Sequence, residues 1–247
     1  MALIEVSTFS PSLDLNVDFN VIIPNDLKKG EKINVLFLLH GYQGYHKDWT
    51  RSSNIERYAS KYRIAVVMPG VNNSYYNNMA HGFNYFDYVN NDLPKLIEGM
   101  FNLTLSRENT YIAGLSMGGY GALKSAFTYP NRFRGVASLS GAVNIESIIE
   151  TNNAPVRKKL MEGSFGLERK AEDDINLFKL TSNENVKSLD IFITCGIDDF
   201  LYEDNLAFEK HLKDKKIDAK FIFDDGNHNW DYWDRNIQLV LEHFFGK

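Results

Sequence analysis

YIAGLSMGGYGA, residues 111–122, sets one serine among four glycines, with an apolar run before it and a helical pattern after it. Glycine serves where the backbone must take a positive φ or let another group approach closely. The stretch therefore reads as a sharp bend that presents Ser116. Gly114-Leu115-Ser116-Met117-Gly118 is a weak signal alone, but its setting is that of a strand-turn-helix elbow. Apolar residues precede it, and Tyr120, Leu123, Lys124 and Phe127 recur at helical spacing behind it. In that geometry Gly114 and Gly118 avoid clashes across the bend, and Gly119 and Gly121 let the helix pack close to the sheet. The orphan N–H groups and partial positive charge of the helix N-terminus then lie beneath the hydroxyl.

Strands and helices alternate on either side of this elbow. INVLFLLH (33–40) and IAVVMP (64–69) are continuous apolar runs of the kind found in buried parallel strands, and SSNIERYASKY (52–62) between them has helical spacing, giving a βαβ unit. NVDFNVIIP (16–24) reads as a half-exposed strand. FDYVNNDLPKLIEGMF (86–101) reads as a helix, with Pro94 breaking its hydrogen bonding unless it sits near a first turn or kink. Strands follow at 110–115, 134–140, 190–196 and 219–225, and helices at 117–129, 203–215 and from about Tyr232 to Phe245. This alternation predicts an α/β fold with a mostly parallel, doubly wound sheet flanked by helices.

Residues 141–186 break the rhythm. They are rich in Asn, Glu and Lys, with scattered apolar residues and no strand-like run. Two readings are open: an insertion over one end of the sheet that acts as a partial lid, or a long helical connection with no role at the site. At 247 residues the chain suits a single domain, 1–247.

A net charge of −5, with 27 basic and 32 acidic residues evenly mixed, offers no basic stripe for nucleic acid and no polybasic patch for a membrane. The first residues, MALIEVSTFSPSLD, lack a basic segment followed by an apolar core, and no apolar run is long enough to span a bilayer. A single cysteine, Cys195, suits a reducing compartment, so the expected location is the cytoplasm. Cys195 ends an apolar strand with no base beside it in sequence and reads as a buried, inert thiol.

A serine hydroxyl is a poor nucleophile at neutral pH and needs a histidine base and a group that orients it. In a fold of this kind the chain order is nucleophile, acid, base. Of six histidines, His228, in DDGNHNWDYW just past the last strand, meets the condition. The acid belongs after the preceding strand, where CGIDDFLYED supplies Asp198 and Asp199. Asp199, three residues past Gly196, is favoured; Asp198 is then solvated or caps the next helix. An oxyanion pocket needs the N–H of Met117 and a second one, which HGYQG places at Tyr42 after the strand ending near His40. His40 reads as a structural residue that holds this loop through a ring hydrogen bond. Tyr42, Tyr45, Trp49, Tyr75, Tyr76, Phe83, Trp230 and Trp233 are candidates to wall an acyl or aryl pocket, or else to pack the core and loops.

Taken together, LFLLHGYQGYHKDW, GFNYFDY (82–88), YIAGLSMGGYGALK, SLSGA (138–142), CGIDDFLYEDN and GNHNWDYW resemble the esterase D family, and within it the bacterial intracellular tributyrin esterases. The resemblance runs from about Val21 to Trp233. It implies an α/β-hydrolase fold, a serine triad without metal or cofactor, Ser116 as nucleophile, Asp199 as acid, His228 as base, and Tyr42 and Met117 as oxyanion donors. The implied substrates are small short-chain acyl esters, with relatives acting on S-formylglutathione, feruloyl esters or acetylated sugars. Resemblance to oligomeric esterases hints at a homo-oligomer. A fold of this class also serves as a binding scaffold, but here every triad position is filled.

Overall fold

The computed structural model describes residues 1–28, 30–151, 154–166 and 174–246. The first strand, β1 (Ala2–Ser10), is an element the sequence reading above lacks. Its residues alternate, with Ile4, Val6 and Thr8 half-buried and Leu3, Glu5, Ser7 and Phe9 exposed, so it lies as an edge strand hairpinned to β2 (Leu15–Ile23). β3 (Val35–Leu39) is buried throughout. After it come α1 (Asp48–Ser52), α2 (Ile55–Tyr62) and the equally buried β4 (Ala65–Pro69), completing the expected βαβ unit.

The helix expected over 86–101 is divided. α3 (Tyr85–Asp87) runs into one wide π turn at Tyr88–Asp92, and α4 (Leu93–Phe101) starts afresh with Pro94 in its first turn. A proline there forfeits only an N–H that has no intrahelical partner, so the break falls where the chain loses least.

β5 (Thr110–Leu115), α5 (Met117–Thr128) and β6 (Gly135–Leu139) form the centre of the molecule. The segment without strands contains α6 (Ile145–Thr151), α7 (Pro155–Phe165) and α8 (Leu177–Leu180), and its residues 152–153 and 167–173 lie outside the described residues. β7 (Asp190–Gly196), α9 (Tyr202–Asp214), β8 (Lys220–Asp224) and α10 (Trp230–Phe245) complete the chain.

The eight strands make one sheet in the order β1-β2-β4-β3-β5-β6-β7-β8. β2 runs antiparallel to both β1 and β4, and the ladders from β4 through β8 are parallel. Both faces are covered. α1, α2 and α10 seal one with Trp49, Ile55, Ile237 and Leu241, and α4, α5, α8 and α9 seal the other with Ile97, Leu123, Leu177 and Phe208. Each fully buried Val, Leu or Ile in such layers contributes about 1.5–3 kcal/mol, which is why the central strands read as unbroken apolar runs. From β3 the chain steps to β4 on one side and later to β5 on the other. The carboxyl ends of β3 and β5 thus flank a topological switch point, where open α/β sheets form their crevice. His40 and Ser116 directly follow those two ends.

Candidate active site

Ser116 sits between β5 and α5 with φ 53° and ψ −117°, a backbone conformation that costs a non-glycine residue energy. Three backbone hydrogen bonds hold it there. Its N–H donates to Leu139 O at 2.9 Å, and its carbonyl accepts from Tyr120 N and Ala142 N, each at 3.1 Å. The flanking glycines are required by contact: a Cβ at Gly114 would lie 2.4 Å from Gly118, and one at Gly118 would lie 2.6 Å from the Leu39 and His40 carbonyl oxygens. Gly119 likewise abuts Ser138 of β6, whereas Gly121 makes room for the Tyr76 ring rather than for the sheet.

His228 lies in the turn between β8 and α10, and its Nε2 is 3.0 Å from Ser116 Oγ. Its Nδ1 is 2.8 Å from Asp199 Oδ2 and 3.0 Å from Oδ1. A carboxylate only accepts, so Nδ1 carries the hydrogen and Nε2 faces the serine hydroxyl. The Asp199 side chain is fully enclosed, and its Oδ1 also accepts Leu201 N–H at 2.9 Å. Asp198 is exposed and caps no helix; its backbone N–H instead donates to Gly226 O at 3.1 Å, joining the acid loop to the histidine loop. Three side chains from three loops thus meet at one rim of the sheet.

The remaining sequence-selected residues are placed by the β3 loop. Leu39 pairs with Gly114 across β3 and β5, so the loop that follows β3 lies beside the bend at Ser116. Met117 opens α5, and its N–H has no carbonyl one turn back to bond. Tyr42 follows Gly41 in a turn closed by Gly44 N–H to Gly41 O at 3.1 Å, with Gln43 N–H donating to Asn73 Oδ1 at 2.7 Å. Those bonds leave the Tyr42 N–H out of the loop's own ladder.

His40 holds this loop as the sequence reading expects. Val71 N–H donates to its Nε2 at 3.1 Å, which leaves Nδ1–H to donate to Gly41 O at 2.8 Å. Burial lowers its pKa to about 4, against the opposing pull of that carbonyl, so the ring is neutral at ordinary pH. Tyr76 adds a bond from its hydroxyl to His40 O at 2.9 Å.

The chain matches a known family along almost its whole length: a family model described as "Putative esterase" covers residues 10–244. The chain belongs to this Esterase family. It is 31% identical to an acetyl esterase of Caldicellulosiruptor saccharolyticus over 98% of this chain and 97% of that protein. Among solved structures it is similar to FphF, a fluorophosphonate-binding serine hydrolase of Staphylococcus aureus, with a TM-score of 0.92 and 29% identity over 100% of this chain and 99% of the other. It is also similar to the S-formylglutathione hydrolase FrmB of Staphylococcus aureus, with a TM-score of 0.87 and 29% identity over 99% and 98% of the two chains. The expected fold and the esterase D resemblance agree with these findings, and the chain is a serine hydrolase of the carboxylic ester class.

The esterase has a cavity of about 310 Å³ over Ser116. Of the aromatic candidates, Tyr42, Tyr75, Trp230 and Trp233 line it. Trp49 and Tyr76 are instead core residues; Tyr45 lies on another surface groove with His46, and the exposed Phe83 packs on Tyr85. Edge-to-face contacts run from Trp49 to Trp230 at 5.2 Å, to Trp233 at 5.3 Å and to His228 at 5.0 Å, so the imidazole is braced from the core. Trp233 Nε1–H also donates to Ser140 Oγ at 3.1 Å.

Lining residues that the sequence pattern does not single out include Ala142, Ile148, Arg157 and Phe200. Phe200 follows the acid directly and packs 4.5 Å from the His228 ring. Ile148 and Arg157 come from α6 and α7, so the 141–186 segment reaches the cavity. Nothing in PVRKKLMEGSF distinguishes Arg157 from its two lysine neighbours except the fold itself.

Cys195 is buried at the end of β7, where burial raises its thiol pKa well above the ordinary range. Among the described residues no cluster of His, Cys, Asp and Glu is placed to hold a metal ion, and no helix is long and apolar enough to cross a membrane.

Proposed function

We propose that Ser116, His228 and Asp199 form the catalytic triad of a carboxylesterase acting on short acyl esters, with the Tyr42 and Met117 amides as oxyanion donors. The observation that carries this reading is the pair of contacts on one imidazole, 3.0 Å to Ser116 Oγ and 2.8 Å to Asp199 Oδ2. His228 Nε2 takes the hydroxyl proton as Oγ adds to the ester carbonyl. The carbonyl oxygen gains charge and is met by two N–H groups already in place, one at the start of α5 and one in the β3 loop. Collapse breaks the bond to the leaving oxygen, which takes the proton from Nε2. Water then gives a proton to Nε2 as its oxygen adds to the acyl carbon, and collapse releases the acid while Nε2 returns that proton to Ser116 Oγ. Asp199 holds the ring in the tautomer that this sequence uses.

A cavity of about 310 Å³ is small for a long acyl chain, and the acetyl esterase relative supports the short-chain reading. A single buried thiol supports a cytoplasmic location. Continuous cores on both faces of one sheet support a single domain over 1–247.

Labelling with a fluorophosphonate, followed by mass mapping, tests the reading. An adduct on Ser116 that disappears in Ser116→Ala and slows in His228→Ala is expected; a folded protein that takes no label contradicts it. A second reading, thioester hydrolysis on S-formylglutathione, is favoured by likeness to two hydrolases of that name, one of them from Arabidopsis thaliana at 26% identity over 87% of this chain. Rates on S-formylglutathione and p-nitrophenyl acetate, measured side by side, separate the two.

A further inference from the structure

Arg157 is a charge in the acyl-ester cavity that the chemistry above does not use. It projects from α7 into the cavity that holds Ser116 and His228. Its guanidinium carbon lies 4.6 Å from the centre of the Tyr42 ring, and its Nε is buried with no hydrogen-bond partner. Among the described residues it makes no ion pair. A planar guanidinium that is stacked and partly desolvated, with the Tyr75 hydroxyl beside it and no carboxylate paired to it among the described residues, is organised to receive a planar anion through its fork of N–H donors. Leaving such a donor unmet costs stability, so a residue kept in this state points to a ligand that completes it.

The surroundings agree. Tyr75 lines the same cavity and is almost fully buried, with a hydroxyl pKa pushed up to about 12 by burial against the opposing pull of Arg157. It stays a neutral donor beside the guanidinium. Tyr75 and Tyr76 both take φ of 53°, a strained pair for bulky side chains, and edge contacts to Phe165 at 5.3 Å and Tyr120 at 6.3 Å hold the Tyr75 ring. The carboxylate that lines the cavity, Asp48, is turned to the β3 loop, where its Oδ2 accepts Tyr45 N–H at 3.2 Å. It does not neutralise Arg157.

The side of the substrate follows from the proton path. The leaving oxygen must reach His228 Nε2, so the leaving group lies against Phe200 and Trp233, which pack on that ring at 4.5 and 5.0 Å. Arg157 stacks instead on the Tyr42 ring, in the loop that follows β3. We infer that Arg157, with Tyr75, forms an anion subsite for the acyl part of the substrate, so that this esterase prefers esters whose acyl chain ends in a carboxylate.

This inference rests on the esterase reading, and the test separates the two. The p-nitrophenyl ester of the adipic half-acid is compared with its uncharged partner, p-nitrophenyl methyl adipate. 3-Acetoxybenzoate and methyl 3-acetoxybenzoate form the matching pair with the charge on the leaving side. The expected result is a kcat/KM ratio, charged over uncharged, at least tenfold above one for the acyl pair only. That ratio should collapse toward one in Arg157→Gln and be partly kept in Arg157→Lys, which retains the charge without the fork. A role in packing alone would lower both esters together and leave the ratio in place. An unmoved ratio, or a preference confined to the leaving-side pair, overturns the inference while the esterase reading stands. No cleavage of any of the four by the wild-type chain removes both.

Discussion

Gly118 packs so closely on Leu39 that a Cβ there would stand 2.6 Å from the Leu39 carbonyl oxygen. The contact joins the first turn of α5, the helix that follows Ser116, to the end of β3, from which the proposed oxyanion loop departs. The spacing between the two sets of N–H donors is therefore set by backbone against backbone, with no flexible side chain to give way. Gly118→Ala is expected to destabilise the protein by about 1–3 kcal/mol, as overpacking does. It is also expected to lower kcat by more than tenfold, since oxyanion donors lose their effect when displaced. Thermal unfolding and ester hydrolysis of the variant check both.

His40 gives stability a pH dependence. Its pKa falls from 6.5 to about 4 on folding because burial disfavours the charged ring. The unfolded chain then binds the proton more readily between those values, so the contribution is fully present above pH 6.5 and is lost as pH falls toward 4. At full extent it amounts to about 3 kcal/mol. Urea midpoints measured from pH 7 to pH 4 should fall, and the slope should shrink in His40→Gln.

The two adjacent acids differ in kind. Asp199 is enclosed and bonded to His228, whereas Asp198 is exposed and serves through its backbone. Asp199→Asn keeps the shape but places an amide against the imidazole and allows the wrong tautomer, with an expected loss in kcat on the order of 10⁴-fold. Asp198→Asn should stay within about twofold of wild type, as exposed substitutions do. Equal losses for the two variants would count against the assignment.

Most of the frame was legible because each signal had one physical cause. The apolar runs at 35–39 and 65–69 are buried on both faces, and Gly114 and Gly118 are demanded by backbone contact. The order of Ser116, Asp199 and His228 follows the order of strands whose carboxyl ends form the rim. β1 is hard to read because the half-buried Ile4, Val6 and Thr8 alternate with exposed Leu3 and Phe9, which blurs the apolar face that marks a strand. The division of 86–101 into a π turn and a fresh helix hinges on hydrogen bonds that Pro94 forbids but whose rearrangement no residue spells out. Ile148 and Arg157 reach the cavity through tertiary placement of α6 and α7, a long-range fact that local periodicity does not encode.

The most direct measurement is kcat for Ser116→Ala, His228→Ala and the double variant on p-nitrophenyl butyrate. If the hydroxyl and imidazole act as one device, each single change costs on the order of 10⁶-fold and the double change costs no more. Losses that multiply, or a Ser116→Ala protein that still turns over at a substantial fraction of the wild-type rate, would show that the 3.0 Å contact between them is not where the ester is cleaved.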